Sequence, residues 1–89
     1  MVRRRRVADG QPSVTGEEVA KVLIENRYYP QDRTGSHLQL RYEHPESGEV
    51  RNVTVPMHGE IPTGTLRNIA RQCGAEDFEA FCAWIDRNR

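Results

Sequence analysis

The sequence predicts a small α+β domain, a three-stranded antiparallel sheet with helices on one face, in the order α-β-β-β-α-α. Three observations carry this reading. In residues 37–43, His37, Gln39, Arg41 and Glu43 share one parity, while Leu38, Leu40 and Tyr42 share the other. That is the period of a half-buried strand. Residues 50–55 repeat the pattern, with Val53 and Val55 inward and Asn52 and Thr54 outward. Three further stretches space apolar residues three and four apart, as an amphipathic helix requires.

The first helix starts at Thr15. Thr15-Gly16-Glu17-Glu18 is a capping box, in which the Thr hydroxyl accepts from an orphan N–H and Glu18 reaches back to the cap. Val19, Val22 and Leu23 form its buried stripe, with Ile24 a further candidate, and it ends near Asn26. Tyr28 and Tyr29 read as a short edge strand that Pro30 keeps short or bulged, and residues 31–35 read as a turn. The alternating strand follows. His44-Pro45-Glu46-Ser47-Gly48 is the hairpin turn into the third strand, which Pro56 ends. Residues 57–60 form a loop, with His44 expected to be solvated in the preceding turn. The second helix begins around Pro62–Thr63, buries Leu66, Ile69, Ala70 and Cys73, and stops at Gly74, a residue suited to the left-handed C′ position. The third starts near Asp77 and buries Phe78, Phe81, Cys82 and Ile85, with Trp84 at its edge.

A chain of 89 residues allows one domain, here residues 14–89, preceded by a basic tail at 1–13 expected to be mobile. Thirteen cations balance thirteen acids, which argues against a bulk polyanion binder. The four arginines Arg3, Arg4, Arg5 and Arg6 leave residues 9–89 with a net charge of −4. The tail is either a phosphate-attracting arm or a solvated extension. The cations are twelve Arg to one Lys, a bias that suits phosphate but that genome composition explains equally well. Cys73 and Cys82 are too few and wrongly spaced for a disulfide framework or zinc site and read as buried thiols. No apolar run approaches the ~20 residues of a membrane span, and no signal-peptide core follows the basic start, which predicts a soluble cytoplasmic protein.

Histidine is the side chain the pattern sets apart. His37 follows Gly35-Ser36 on the polar parity of its strand, which weighs against a core residue and leaves a functional histidine or a plain surface one. An imidazole with an unperturbed pKa of ~6.5 suits proton transfer near neutrality. His58, in the loop before the second helix, either helps a site at the end of the sheet or caps a loop carbonyl. A paired-carboxylate site, a HExxH, a Walker loop and a nucleophile elbow are all absent from the sequence.

Two stretches go further. Gly35-Ser36-His37-Leu38-Gln39-Leu40-Arg41-Tyr42 resembles the Gly-Ser-(Asn)-His strand of the HicA family of mRNA interferase toxins. Residues 53–69, from Val53-Thr54-Val55-Pro56-Met57-His58 through Gly64-Thr65-Leu66-Arg67-Asn68-Ile69, are similar to that family's Val-Pro-x-His…Gly-Thr-Leu-Arg-x-Ile signature. The resemblance spans roughly residues 14–81. It implies a fold like a double-stranded-RNA-binding domain, α-β-β-β-α, here with an extra C-terminal helix. It also implies ribosome-independent endoribonuclease cleavage of mRNA and neutralisation by a HicB-type antitoxin. The family's catalytic histidine falls on His37.

On that reading His37 is the general base for the 2′-OH of the RNA, so neither a metal nor a cofactor is called for. Gly35 and Ser36 bind a phosphate oxygen, and Arg41, on the same face, binds a neighbouring phosphate. Arg67 and Arg71 join only if the second helix lies at the rim. The second proton donor is His58 or water. The antitoxin would cover the His37 face of the sheet or its strand edge. Two alternatives stand beside this: a non-catalytic RNA-binding module that reads helical shape and 2′-OH groups, and an inactive HicA-like regulator that only binds its antitoxin.

Overall fold

The computed structural model describes residues 13–89, so the basic tail lies outside the described residues apart from Ser13. The order is α1 (Gly16–Glu25), β1 (Tyr29–Thr34), β2 (His37–Glu43), β3 (Val50–Pro56), α2 (Thr63–Gln72) and α3 (Phe78–Asn88). The strands form one antiparallel sheet in the order β1-β2-β3. All three helices contribute to a single core with Leu40, Val53 and Val55 of the sheet, joined by half-buried Leu38 and Tyr42. On the opposite parity His37, Gln39 and Asn52 are exposed and Arg41 and Thr54 half-buried. The sheet therefore has one covered face and one open face, as the alternation predicts.

The capping box at the start of α1 is complete: Thr15 Oγ1 accepts from the Glu18 N–H at 3.1 Å, and Glu18 accepts from the Thr15 N–H at 3.0 Å. Both α1 and α2 stop by the same device. The Tyr28 N–H donates to the Leu23 carbonyl and the Ala75 N–H to the Ala70 carbonyl, closing a loop around a left-handed residue. In α2 that residue is Gly74; in α1 it is Arg27, at φ +78°. Tyr28 thus belongs to the helix stop, where it is buried, rather than to the strand. Ile24 is 42% exposed, outside the buried stripe, because Val19, Ala20, Val22 and Leu23 already fill the face that meets the sheet.

The largest correction concerns β1. Residues 31–34, expected as a turn, are strand: Asp32, Arg33 and Thr34 pair with Gln39, Leu38 and His37. The register shift between Pro30 and Asp32 is a bulge at Gln31, which absorbs the proline the sequence flagged. The turn shrinks to Gly35-Ser36. Gly35 has φ +60°, and a positive φ at the first of two central residues marks a tight hairpin that twists with its strands. All six β1 residues are exposed, so no alternation advertised them.

Two stability effects follow. Arg27→Gly removes the left-handed cost of a Cβ and raises stability by about 1 kcal/mol in chemical denaturation. The Glu18 carboxyl lies below its ordinary range, chiefly through its bond to the Thr15 backbone; burial opposes the shift, and the charge and hydrogen bond of Arg89 add to it. A depressed folded value means the stabilisation is present above the ordinary carboxylate value and is lost as pH falls through the folded one. Glu18→Gln, which keeps the capping geometry but not the charge, is expected to lose a few tenths of a kcal/mol at neutral pH, as an exposed, screened ion pair does, and to flatten the acid limb of stability, read from thermal melts across the acid range.

Candidate active site

His37 opens β2 and sits between Thr34 of β1 and Pro56 of β3. Its side chain is exposed on the open face and makes no hydrogen bond among the described residues. The preceding turn is fixed from two sides. The Ser36 carbonyl accepts the Met57 N–H at 2.6 Å, and the Gly35 carbonyl accepts Arg33 Nε at 3.2 Å. A Cβ added at Gly35 would meet nothing within 4 Å, so the outer side of the turn is open to a ligand.

The Ser36–Met57 bond brings the His58 loop to the same end of the sheet. That loop is anchored again by the start of the domain. The Gly16 N–H donates to the Gly59 carbonyl at 3.1 Å, the Ile61 N–H to the Val14 carbonyl at 2.9 Å, and Ser13 Oγ to Glu60 at 2.6 Å. A bridge pairs Thr15 with Glu60. Arg89, the last residue, holds the same corner by donating to the Ser13 carbonyl and to Glu18. His58 itself is exposed. The Thr54 N–H on Gln72 and Arg51 on the Cys73 carbonyl set the C-terminal end of α2 beside β3. The N-terminal end of α2 therefore lies beyond Pro56, next to the His58 loop.

Gly35, Ser36, His37 and His58 thus come together; two other expected residues do not join them. Arg41 shares the open face, but its Nε donates to Glu43 Oε2 at 2.8 Å, and Tyr29 Oη donates to the same oxygen at 3.2 Å. This bonding raises the Arg41 pKa and lowers that of Glu43. Arg67 stands in the helical layer, 4.2 Å from the centre of the Phe78 ring, and not on the open face. Reading residues 31–35 as a turn hid Thr34, which flanks His37 on the open face, and Arg33, which pairs with Leu38 on the opposite parity. Carrying the β2 parity back through a two-residue turn would have paired Thr34 with His37. His44, expected in solvent, is a half-buried turn cap: its Nδ1 accepts from the Glu46 and Ser47 N–H groups, both at 3.1 Å.

The open face is not basic. Arg41 shares it with Asp32 and Glu43, by pairing parity. Among the described residues no group of three or more His, Cys, Asp or Glu side chains is placed to hold a metal ion. Both cysteines are buried and unpaired, and burial raises their pKa values. A cleft of about 230 Å³ opens on the helical side, around Tyr28, Tyr42, Arg51, Phe81 and Trp84. It lies at the far end of the sheet from His37, and its arginine is engaged by Glu49, the Cys73 carbonyl and the Tyr42 ring. The strand edges are partly blocked. The Arg33 N–H is taken by the Asp32 carboxylate at 2.8 Å and the Thr54 N–H by Gln72 at 3.1 Å, while Pro30 and Pro56 have none to give. No helix among the described residues is long and apolar enough to cross a membrane.

The family model described as the HicA toxin of bacterial toxin–antitoxin systems matches residues 16–75, from the first residue of α1 to just past α2. The helix α3 falls outside the match. No curated protein matches the chain.

The corner has one sharp steric test. A Cβ on Gly16 would lie 1.8 Å from the Pro56 carbonyl oxygen. Backbone cannot move aside as a flexible side chain would, so Gly16→Ala is expected to cost about 3 kcal/mol or more. It should also release amide-exchange protection at Met57 and Ile61, whereas an alanine at exposed Gly64 should do neither.

Proposed function

The chain belongs to the HicA toxin family, and from that premise we propose that it is a metal-independent endoribonuclease that cleaves mRNA with His37 as general base. The toxin role and the existence of an antitoxin partner come with the family; the chemistry is argued from the site. RNA carries its own nucleophile. Neutral His37 takes the 2′-OH proton, the 2′-oxygen attacks phosphorus, and the products are a 2′,3′-cyclic phosphate and a 5′-hydroxyl. The observation that carries this is the unpartnered, exposed His37 imidazole beside an open Gly35-Ser36 turn.

Ser36 Oγ and the turn backbone are the groups that would hold a phosphate oxygen. Arg33 reaches the turn through Nε on the Gly35 carbonyl, although its pairing with Leu38 puts it on the parity opposite to His37. Arg41 would have to give up part of its pairing with Glu43, and Arg67 its stacking on Phe78, to hold a phosphate. The antitoxin is read as a HicB-type protein that docks on the open face of the sheet by side-chain contacts, since the edges are short of free N–H groups for an added strand. Tyr29 and Val50, 43% and 42% exposed, lie on that face by pairing parity and give it apolar anchors. A second reading, an inactive regulator that only binds its antitoxin, draws on the net charge of −4 in residues 9–89, which does not favour RNA.

Induction of wild type and of His37→Ala in a bacterial host separates the two. Wild type is expected to arrest growth and fragment mRNA, and the variant to do neither. Its cleavage in vitro should be slower by about 10²–10⁴-fold at unchanged melting temperature. Equal cleavage by both proteins rejects the assignment, and antitoxin binding without cleavage by wild type selects the regulator.

A further inference from the structure

Cleavage through a 2′-oxygen needs two proton transfers, and His37 accounts for one. The 5′-oxygen leaves as a poor alkoxide unless an acid protonates it. We infer that His58 is that acid, an inference that rests on the nuclease reading above.

The first argument is placement. His37 follows Ser36 and His58 follows Met57, and the Ser36 carbonyl and Met57 N–H share a 2.6 Å hydrogen bond. Following the chain through that bond, the two histidine Cα atoms lie within about 12 Å of each other. Each imidazole extends several ångströms beyond its Cα, so the two rings can flank one phosphodiester.

The second argument is rigidity without a structural task. Met57, Gly59, Glu60 and Ile61 are each bonded to Ser36, Gly16, Ser13 or Val14. His58, in the middle of this fixed segment, is exposed and makes no side-chain hydrogen bond among the described residues. The same protein shows what a loop histidine with a structural task looks like, since His44 Nδ1 caps two backbone N–H groups of its turn. A loop carbonyl bonded to His58, the other reading its position allows, is not found among the described residues.

The step balances. The 2′-OH proton passes to neutral His37 as the 2′-oxygen forms its bond to phosphorus. The bond from phosphorus to the 5′-oxygen breaks, and that oxygen takes the proton of the His58 imidazolium. His37 leaves the step protonated and His58 neutral, and exchange with water restores both.

A leaving-group test isolates the acid. The full chain is given an RNA oligonucleotide that wild type cuts, and the same oligonucleotide with sulfur replacing the 5′-bridging oxygen at the cut linkage. A thiolate departs without being protonated. His58→Ala is expected to cut ordinary RNA about 10²-fold more slowly or worse, and to return close to the wild-type rate on the sulfur substrate. His37→Ala is expected to stay slow on both. His58→Gln, which keeps a polar side chain of similar reach, should behave as His58→Ala does, and melting curves check that both variants fold. A His58→Ala rate equal to wild type on ordinary RNA overturns the inference, as does an equal loss on both substrates, and either leaves the nuclease reading standing. Failure of wild type to cut any RNA overturns both.

Discussion

Gly16 meets Pro56 backbone to backbone, at a distance that no side chain on Gly16 would permit. This close approach lets the start of α1 lie across the end of β3. From there the Gly16 N–H reaches the Gly59 carbonyl, and Val14 and Thr15 pair with the segment that follows it. The other side of that segment is held by Ser36. A loop gripped from both sides keeps its exposed side chain in one place without burying it. Catalysis by positioned groups requires just this, because orientation is gained before the substrate arrives.

The apolar core lies entirely on the other face of the sheet. Leu40, Val53 and Val55 are almost fully buried there, against Val19, Val22, Leu23, Ile69 and Ile85. The core and the proposed site therefore occupy opposite faces of the same strands. The segregation follows from the two-residue period of β structure, which sends neighbours to opposite sides. It leaves His37 free of packing duties. It also explains why the cleft around Tyr28 and Trp84 stands apart from His37 and His58, since that cleft belongs to the helical face and the far end of the sheet.

Electrostatics limits what the open face does. The cation in its middle, Arg41, is bound to Glu43, which also accepts from Tyr29, and Asp32 stands nearby in the pairing pattern. Such a surface attracts phosphate weakly and suits a protein partner that offers its own charges and apolar contacts. The blocked edges point the same way, for an added strand would find the Arg33 and Thr54 N–H groups already engaged. Any affinity for RNA would have to come from the turn around Gly35 and Ser36, or from groups outside the described residues.

Much of the fold is legible in consecutive residues. The Thr15–Glu18 box, the alternation from His37 to Glu43, the Gly74 stop and the exposure of His37 each depend on neighbours a few positions apart, and each appears as the residues imply. The family motifs around His37 and His58 are equally local. The missing parts are those where local signals fall silent or compete. β1 is exposed on every residue and shows no period, Arg27 takes a left-handed conformation usual for glycine, and His44 turns inward to its own backbone. What the sequence determined by itself is which side chains face the core and which face away, because helix and strand periods convert order along the chain into direction in space. What only the tertiary structure decided is the meeting of Ser36 with Met57, of Gly16 with Pro56 and of Arg41 with Glu43. Apart from the last, these pairs are distant along the chain, and nothing in either segment names its partner until the packing of the core has closed the loops between them.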